Sequence, residues 1–234
     1  MIRQKMIPDL GVIIAAGGSS QRYGEKDKLL EDLGGMPVFL HSICEFLPLV
    51  APGNMIIAVR PQALDEFRSI ADKFIPANTV QWVPGGADRV ESVRNALVKL
   101  KLTDGLVAIH DAARPLATAG LLKKVADRAR ITGGAIAAGK VADSLKLADE
   151  KRMIVSPVPR EMIYYAETPQ IFDLVKYRRA FAELNGAVPT DDAEIMRLAG
   201  YQVELVESDQ WNIKLTSPGD LAKLRRCIPG CRDE

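Results

Sequence analysis

At 234 residues the chain is long enough to bury a sizeable core, and 47% hydrophobic with 26% charged residues is the balance of a soluble globular protein. A formal net charge of +1 gives no bulk field for nucleic acid or an acidic membrane, so any cationic work must be local. No apolar run approaches the ~20 residues of a membrane span, and Met1–Met6 is charged without the apolar core and cleavage site of a signal peptide.

The first element is the most informative. Val12-Ile13-Ile14 is an apolar β-branched run, read as a buried strand over about 10–15. It empties into Ala15-Ala16-Gly17-Gly18-Ser19-Ser20, followed by the cations Arg22 and Lys28. Gly17 and Gly18 can adopt positive φ, and small residues let backbone N–H groups approach a ligand closely. Such a loop, backed by Arg and Lys, suits a polyphosphate; a glycine turn beside two solvated cations is the plainer reading. The Walker A spacing and the dinucleotide G-x-G-x-x-G are both absent, which removes the main support for an ATPase or an NAD-dependent dehydrogenase.

Further strands are predicted near 54–59, 79–83, 105–110 and 134–139, with helices near 37–48, 61–74, 88–100, 118–130, 173–184 and 191–199. Pro37 and Pro61 suit first-turn positions, where a missing N–H costs nothing. Alternating strands and helices, with apolar strands that lack polar alternation, predict an α/β fold whose mainly parallel sheet is covered on both faces. Ligands in such sheets sit beyond the carboxyl ends of the strands. Three loops lie at such ends: the opening glycine loop, Gly85-Gly86, and Asp111-Ala112-Ala113-Arg114. The pattern breaks at about 140–166, where two short strands around Asp149-Glu150-Lys151-Arg152 read as an inserted β-hairpin, too small to fold alone. Asn212–Leu215 reads as a late strand, and Ser217-Pro218 as the N-cap and first position of a last helix.

Cys44 sits in an apolar helical run and Cys227 and Cys231 stand four apart without further ligands; buried or idle thiols in a cytoplasmic protein are the expectation. His41 and His110 are the only histidines, and no G-x-S-x-G elbow exists to hold a nucleophilic serine. The charged residues at the strand ends are mostly Arg, Lys and Asp. They suit phosphoryl or nucleotidyl transfer, where catalysis is positioning plus neutralisation of oxyanion charge. Asp111 could hold Mg²⁺ or a substrate hydroxyl, or simply cap a loop. Arg114 could pair with a surface acid, Ser92 could be an exposed helical position, and Thr190 could be an N-cap. Lys214, between Ile213 and Leu215, calls for a partner or a ligand.

Eight elements occur in one order: Ala15-Ala16-Gly17 with Arg22 and Lys28; Gly85-Gly86-Ala87-Asp88-Arg89 with Ser92; His110-Asp111-Ala112-Ala113-Arg114-Pro115; Asp143-Ser144-Leu145-Lys146; Pro159-Arg160; Glu167-Thr168-Pro169-Gln170; Thr190-Asp191-Asp192-Ala193; and Asn212-Ile213-Lys214. In these the chain resembles, from about residue 10 to 225, the bacterial 2-C-methyl-D-erythritol 4-phosphate cytidylyltransferases of non-mevalonate isoprenoid biosynthesis. The resemblance implies one cytidylyltransferase domain over 1–234, of the Rossmann-like nucleotide-diphospho-sugar transferase type. It implies that the 140–166 hairpin is a dimerisation arm that completes the site of a second copy. It further implies that Ala15, Ala16, Gly17, Gly18, Gly86, Ala87, Arg89, Ser92, Asp111 and Ala112 hold the nucleotide, and that Arg22 and Lys28 grip the CTP phosphates. Arg160 and Lys214 would orient the acceptor phosphate, with Asp111, Arg114, Ser144 and Thr190 also contacting the acceptor. Mg²⁺ would ride mainly on the triphosphate, with Asp111 as the one protein carboxylate.

Several positions depart from the family pattern. The glycine loop is one residue longer, Gln21 stands where a second arginine is common, Asp27 replaces a proline, Leu29 a glutamine and Ser144 a threonine. Lys26 competes with Lys28 for the catalytic position, and the register of Leu29–Gly35 favours Lys28. A ribitol-5-phosphate cytidylyltransferase would share fold, CTP site and reaction, but Ala113 and the Thr190–Ala193 segment look more like the methylerythritol enzymes. A non-catalytic nucleotide-binding regulator on this scaffold would have lost a phosphate-gripping cation. Arg22, Lys28, Arg160 and Lys214 are all present.

Overall fold

The computed structural model describes residues 5–18, 23, 27–184, 186 and 188–228. Strands β1 (Leu10–Ala16), β2 (Met55–Val59), β3 (Gln81–Pro84), β4 (Leu106–Asp111), β5 (Gly134–Lys140), β8 (Tyr164–Asp173) and β9 (Glu204–Glu207) form one sheet in the order β3-β2-β1-β4-β8-β5-β9. β1, β2, β3 and β4 pair in parallel, as do β5 and β9. β8 runs antiparallel to both of its neighbours. Helices α1 (Val38–Phe46), α2 (Leu64–Ala71), α3 (Arg89–Lys99), α4 (Ala119–Thr132), α5 (Leu174–Ala182), α6 (Asp192–Leu198) and α7 (Pro218–Cys227) flank it.

The apolar strands are explained by burial on both faces. Val12 and Ile14 of β1 join one core cluster with α1, α2 and α4, whereas Ile13 joins another with α3 and α5. Burying an aliphatic side chain of this size contributes about 1.5–3 kcal/mol, so a polar residue at any of the three would be costly. The predicted strands and helices are found with end shifts of a few residues. Pro37 is the N-cap residue of α1 rather than a first-turn residue, and Pro61 opens a 3-10 turn before α2. Ser217 and Pro218 start α7 as expected, with the Asp220 carboxylate accepting from the Ser217 N–H at 2.9 Å.

Two strands lie outside the predicted set, and one predicted strand is absent from the fold. β8 contains Glu167-Thr168-Pro169-Gln170, a sequence without strand character; β9 is a four-residue edge strand with a glutamate at each end. Asn212–Leu215 is a loop. Leu215 N–H donates to the Ala113 carbonyl at 2.8 Å and Leu215 is fully buried, so one anchored residue stands in for a ladder.

The hairpin forms as a separate two-stranded sheet of β6 (Leu145–Ala148) and β7 (Ile154–Val158). Leu147, Met153, Ile154, Val155, Met162 and Tyr165 in and beside it are all more than half exposed.

The sheet order places a topological switch point between β1 and β4. The chain leaves β1 toward β2 and β3 on one side, then returns to β4 on the other. A crevice therefore opens beyond the carboxyl ends of β1 and β4. Ala15 is in register with Asp111 there, and the Ala112 N–H donates to the Ala15 carbonyl at 3.1 Å.

Candidate active site

Gly17 follows β1 and Gly85-Gly86-Ala87 follows β3, so both loops reach the same edge. Ser92 joins them. It is buried on the first turns of α3, donates its hydroxyl to the Asp88 carbonyl at 2.7 Å and accepts the Gly86 N–H at 3.0 Å. A Cβ on Gly17 would stand 3.0 Å from Ser92 Oγ, and one on Gly85 2.9 Å from it. A side chain at either position would press on that hydroxyl. The positive φ anticipated for Gly17 and Gly18 is not found; both have ordinary negative or extended φ. Ser92 is likewise not the exposed helical serine that its sequence allowed. The Ala87 N–H donates to Glu91 Oε2 at 2.8 Å, and Asp88 caps α3 by accepting from the Glu91 N–H.

The end of β4 gathers the charges. Asp111 Oδ1 accepts from Arg89 Nε at 3.2 Å and Oδ2 from Lys214 Nζ at 2.6 Å. Asp111 is therefore a charge partner rather than a loop cap. Burial alone would raise its pKa, but Arg89 and then Lys214 outweigh burial and hold the carboxyl far below the usual range. Arg89 also meets Asp192, with Nη2 2.7 Å from Oδ2. Burial would weaken the guanidinium charge, and Asp192 and Asp111 reverse that effect. Arg114 is no surface residue: its guanidinium is buried, donates to the Asn212 carbonyl at 2.6 Å and stands 3.9 Å from Glu167. Burial pushes its pKa down, against the pull of Glu167 and Asp111.

Behind Asp111, His110 is fully buried. Its Nε2 faces the Arg114 carbonyl at 3.2 Å, which requires Nε2 to carry the proton. Nδ1 then accepts from the Thr168 hydroxyl at 3.1 Å, while Thr168 Oγ1 accepts the Asp111 N–H. Burial lowers the His110 pKa to about 4, only partly opposed by Asp111, so the ring is neutral at pH 7. Glu167 accepts from Ser208 Oγ and Asn212 Nδ2, each at 2.7 Å, and so anchors the loop that bears Lys214. Sequence reasoning missed these supports; only the Glu167–Gln170 motif marked them.

Other expected residues have contacts of their own. Lys28 begins a 3-10 turn, Lys28–Leu30, capped by Asp27, whose carboxylate accepts from the Leu29 N–H at 3.0 Å and pairs with Arg60. Ser144 is exposed at the foot of the hairpin, where Arg160 donates to the Ala142 carbonyl. Thr190 is exposed and is not the cap of α6: Asp191 is, and the Thr190 N–H and hydroxyl both donate to Glu194 Oε2. Among the described residues, no hydrogen bond or ion pair links Arg160, Ser144 or Thr190 directly to Asp111 or Lys214. Arg22, Lys26 and Cys231 lie outside the described residues. A cavity of about 920 Å³ lies beside edge strand β9, lined by Ile136, Ala166, Thr190 and Leu205 among others, and of the expected site residues it touches Thr190 alone.

No three His, Cys, Asp or Glu side chains come together as a metal site among the described residues. A divalent cation at the β1–β4 edge would find one carboxylate, Asp111, already paired with two cations, so phosphate oxygens would have to supply most of its ligands.

Closely packed glycine loops and an Arg–Asp–Lys array at the switch point of a mostly parallel sheet are the equipment of an α/β nucleotidyltransferase. The comparisons narrow this class. Residues 10–228 match the family model described as 2-C-methyl-D-erythritol 4-phosphate cytidylyltransferase. The chain is 36% identical over 213 residues to the protein of that name from Halalkalibacterium halodurans, covering 90% of this chain and 92% of the relative. It is 35% identical over 224 residues to the one from Aquifex aeolicus, covering 95% and 98%. The crystal structure of the Thermus thermophilus protein of that name superposes with a TM-score of 0.78 at 29% identity, over 93% of this chain and 97% of that one. The chain belongs to the 2-C-methyl-D-erythritol 4-phosphate cytidylyltransferase family.

Proposed function

We propose that this chain transfers the cytidylyl group of CTP to 2-C-methyl-D-erythritol 4-phosphate, giving 4-diphosphocytidyl-2-C-methyl-D-erythritol and pyrophosphate as a step of isoprenoid precursor synthesis. The observation that carries the reading is the match of residues 10–228 to the family, with its strand-end motifs gathered at one sheet edge. An oxygen of the acceptor phosphate attacks the α-phosphorus in line, and the bond to the bridging oxygen of pyrophosphate breaks. The nucleophile is already anionic, so no strong protein base is needed. In this reading Ala15, Ala16, Gly17, Gly86, Ala87 and Ser92 hold the cytidine, and Gly18, Arg89, Asp111 and Ala112 also hold the nucleotide. Arg22 and Lys28 neutralise charge that builds on the α-phosphate and the leaving pyrophosphate. Lys214 and Arg160 aim the acceptor phosphate, while Arg114, Ser144 and Thr190 border the acceptor. Bound Mg²⁺, held by phosphate oxygens with Asp111 nearby, would supply further charge neutralisation.

We infer a single domain and a two-fold dimer in which the hairpin of each copy reaches the other's site. Support comes from the run of exposed apolar residues from Leu147 to Tyr165. A cytoplasmic location belongs to the same reading. The test is pyrophosphate release from CTP with methylerythritol 4-phosphate and ribitol 5-phosphate in parallel, with UTP as a control. Turnover should require CTP and the methylerythritol acceptor. Equal use of UTP, or preference for ribitol 5-phosphate, would overturn the assignment.

A further inference from the structure

We propose that Asp192, held by Tyr177, is a positioning residue for the transfer, acting through Arg89 and Asp111 to set Lys214. It rests on the reading above, in which Lys214 takes the acceptor phosphate. The groups form one alternating chain across four elements. Tyr177 of α5 donates its hydroxyl to Asp192 Oδ1 at 2.5 Å. Asp192 Oδ2 meets Arg89 at the start of α3, Arg89 meets Asp111 at the end of β4, and Asp111 meets Lys214. Tyr177 and Asp192 are almost wholly buried, whereas the Lys214 side chain is 41% exposed. The chain thus runs from the core to a half-open ammonium group.

Each link is directed. Tyr177 is clamped by the Phe172 ring, parallel to it with centroids 5.2 Å apart, and by the edge-on Phe181. Its hydroxyl therefore has a fixed place. Asp192 Oδ2 lies 2.7 Å from Arg89 Nη2, an ion pair whose strength depends on the carboxylate being charged. Asp192 is the first residue of α6, where an acidic residue ordinarily favours the helix dipole. That role does not require burial against an arginine of another helix. A buried ion pair is a poor source of net stability, since desolvation offsets attraction. Geometry is what this pair supplies: with one carboxylate on either side, Arg89 cannot swing away from Asp111, and Asp111 keeps Oδ2 turned to Lys214.

The test uses the full chain with methylerythritol 4-phosphate and CTP, with rates expressed per folded protein. Asp192→Asn keeps size and an acceptor for Tyr177 but removes the charge. It should raise KM for the acceptor by about tenfold, the usual scale for one charge-assisted contact, and KM for CTP by less, through Arg89 and Asp111 at the nucleotide. Tyr177→Phe should shift the acceptor KM the same way by about threefold, one neutral hydrogen bond's worth. Should Asp192→Asn fail to fold, Tyr177→Phe decides. In a Lys214→Ala background neither change should add a further loss. Unmoved acceptor KM in the folded variants, or a loss that merely tracks the folded fraction, would overturn the proposal while leaving the function intact. No turnover by the wild-type chain would remove the function and this proposal together.

Discussion

At the scale of single residues, charge and burial decide what each group can do. Lys28 is the choice between two lysines, and its place at the head of an Asp27-capped turn gives it a fixed backbone. Lys28→Ala should lower kcat by on the order of 10²–10³ with little effect on KM, because its charge is used most as the α-phosphate becomes pentacoordinate. Lys26→Ala should be mild; the reverse order in steady-state kinetics would transfer the role to Lys26. His110 yields a stability prediction. Its folded pKa of about 4 lies below the ordinary 6.5, so between those values the unfolded chain takes up a proton that the folded one cannot hold. Stability should therefore fall as pH drops from 6.5 to 4, by up to about 3 kcal/mol at 1.36 kcal/mol per pH unit, and this contribution should level off below 4. Asp111, with its depressed pKa, acts in a separate window, losing its contribution only as pH falls below about 3.8. Urea midpoints at pH 7 and pH 4.5 should differ clearly in the wild type and much less in His110→Gln. An equal midpoint shift between the two pH values in both proteins would show that His110 is not the titrating group.

At the scale of elements, α3 holds the loop after β3 through the Ser92 hydroxyl on Gly86, beside the Glu91 carboxylate on Ala87. Ser92→Ala leaves the Gly86 N–H without its acceptor beside the pocket, a loss of about 1–3 kcal/mol in the geometry of that loop. KM for CTP should rise about tenfold with kcat nearly unchanged, measured by pyrophosphate release at saturating acceptor. A fall in kcat alone would mean that Ser92 supports chemistry rather than the loop. The parallel strands were readable because strands buried on both faces are written as uninterrupted Val, Ile and Ala. β8 was not, because its buried Thr168 and Gln170 serve hydrogen bonds to His110 and to the cap of α6 rather than apolar packing. β9 is too short and too charged to stand out, and Asn212–Leu215 imitated a strand with one buried leucine. The motifs at strand ends were equally visible in sequence. What they could not reveal is partnership: Arg89 with Asp192, Asp111 with Lys214 and Glu167 with Asn212 are pairings made by topology, between residues far apart in the chain.

At the scale of the whole molecule, the hairpin is the part the body does not explain. Among the described residues its strands pair only with each other, and most of its apolar residues are exposed. If it serves a second copy, Lys28 and Arg160 of one site come from different chains. A Lys28→Ala chain co-expressed with an Arg160→Ala chain should then recover about a quarter of wild-type activity. Half of randomly paired dimers are mixed, and one of the two sites in each is intact. Each parent alone should be nearly inactive, since an unaimed acceptor phosphate loses most of the rate. Mixed dimers no more active than the parents would place Arg160 in its own chain's site or outside catalysis.

The central claim, cytidylyl transfer to a methylerythritol phosphate, is tested most directly by identifying the product. Phosphorus NMR of the chain incubated with CTP, Mg²⁺ and 2-C-methyl-D-erythritol 4-phosphate should show the acceptor monophosphate signal replaced by two coupled diphosphate signals, with free pyrophosphate appearing in equal amount. An unchanged acceptor signal, or diphosphate formed only when ribitol 5-phosphate is supplied, would contradict it.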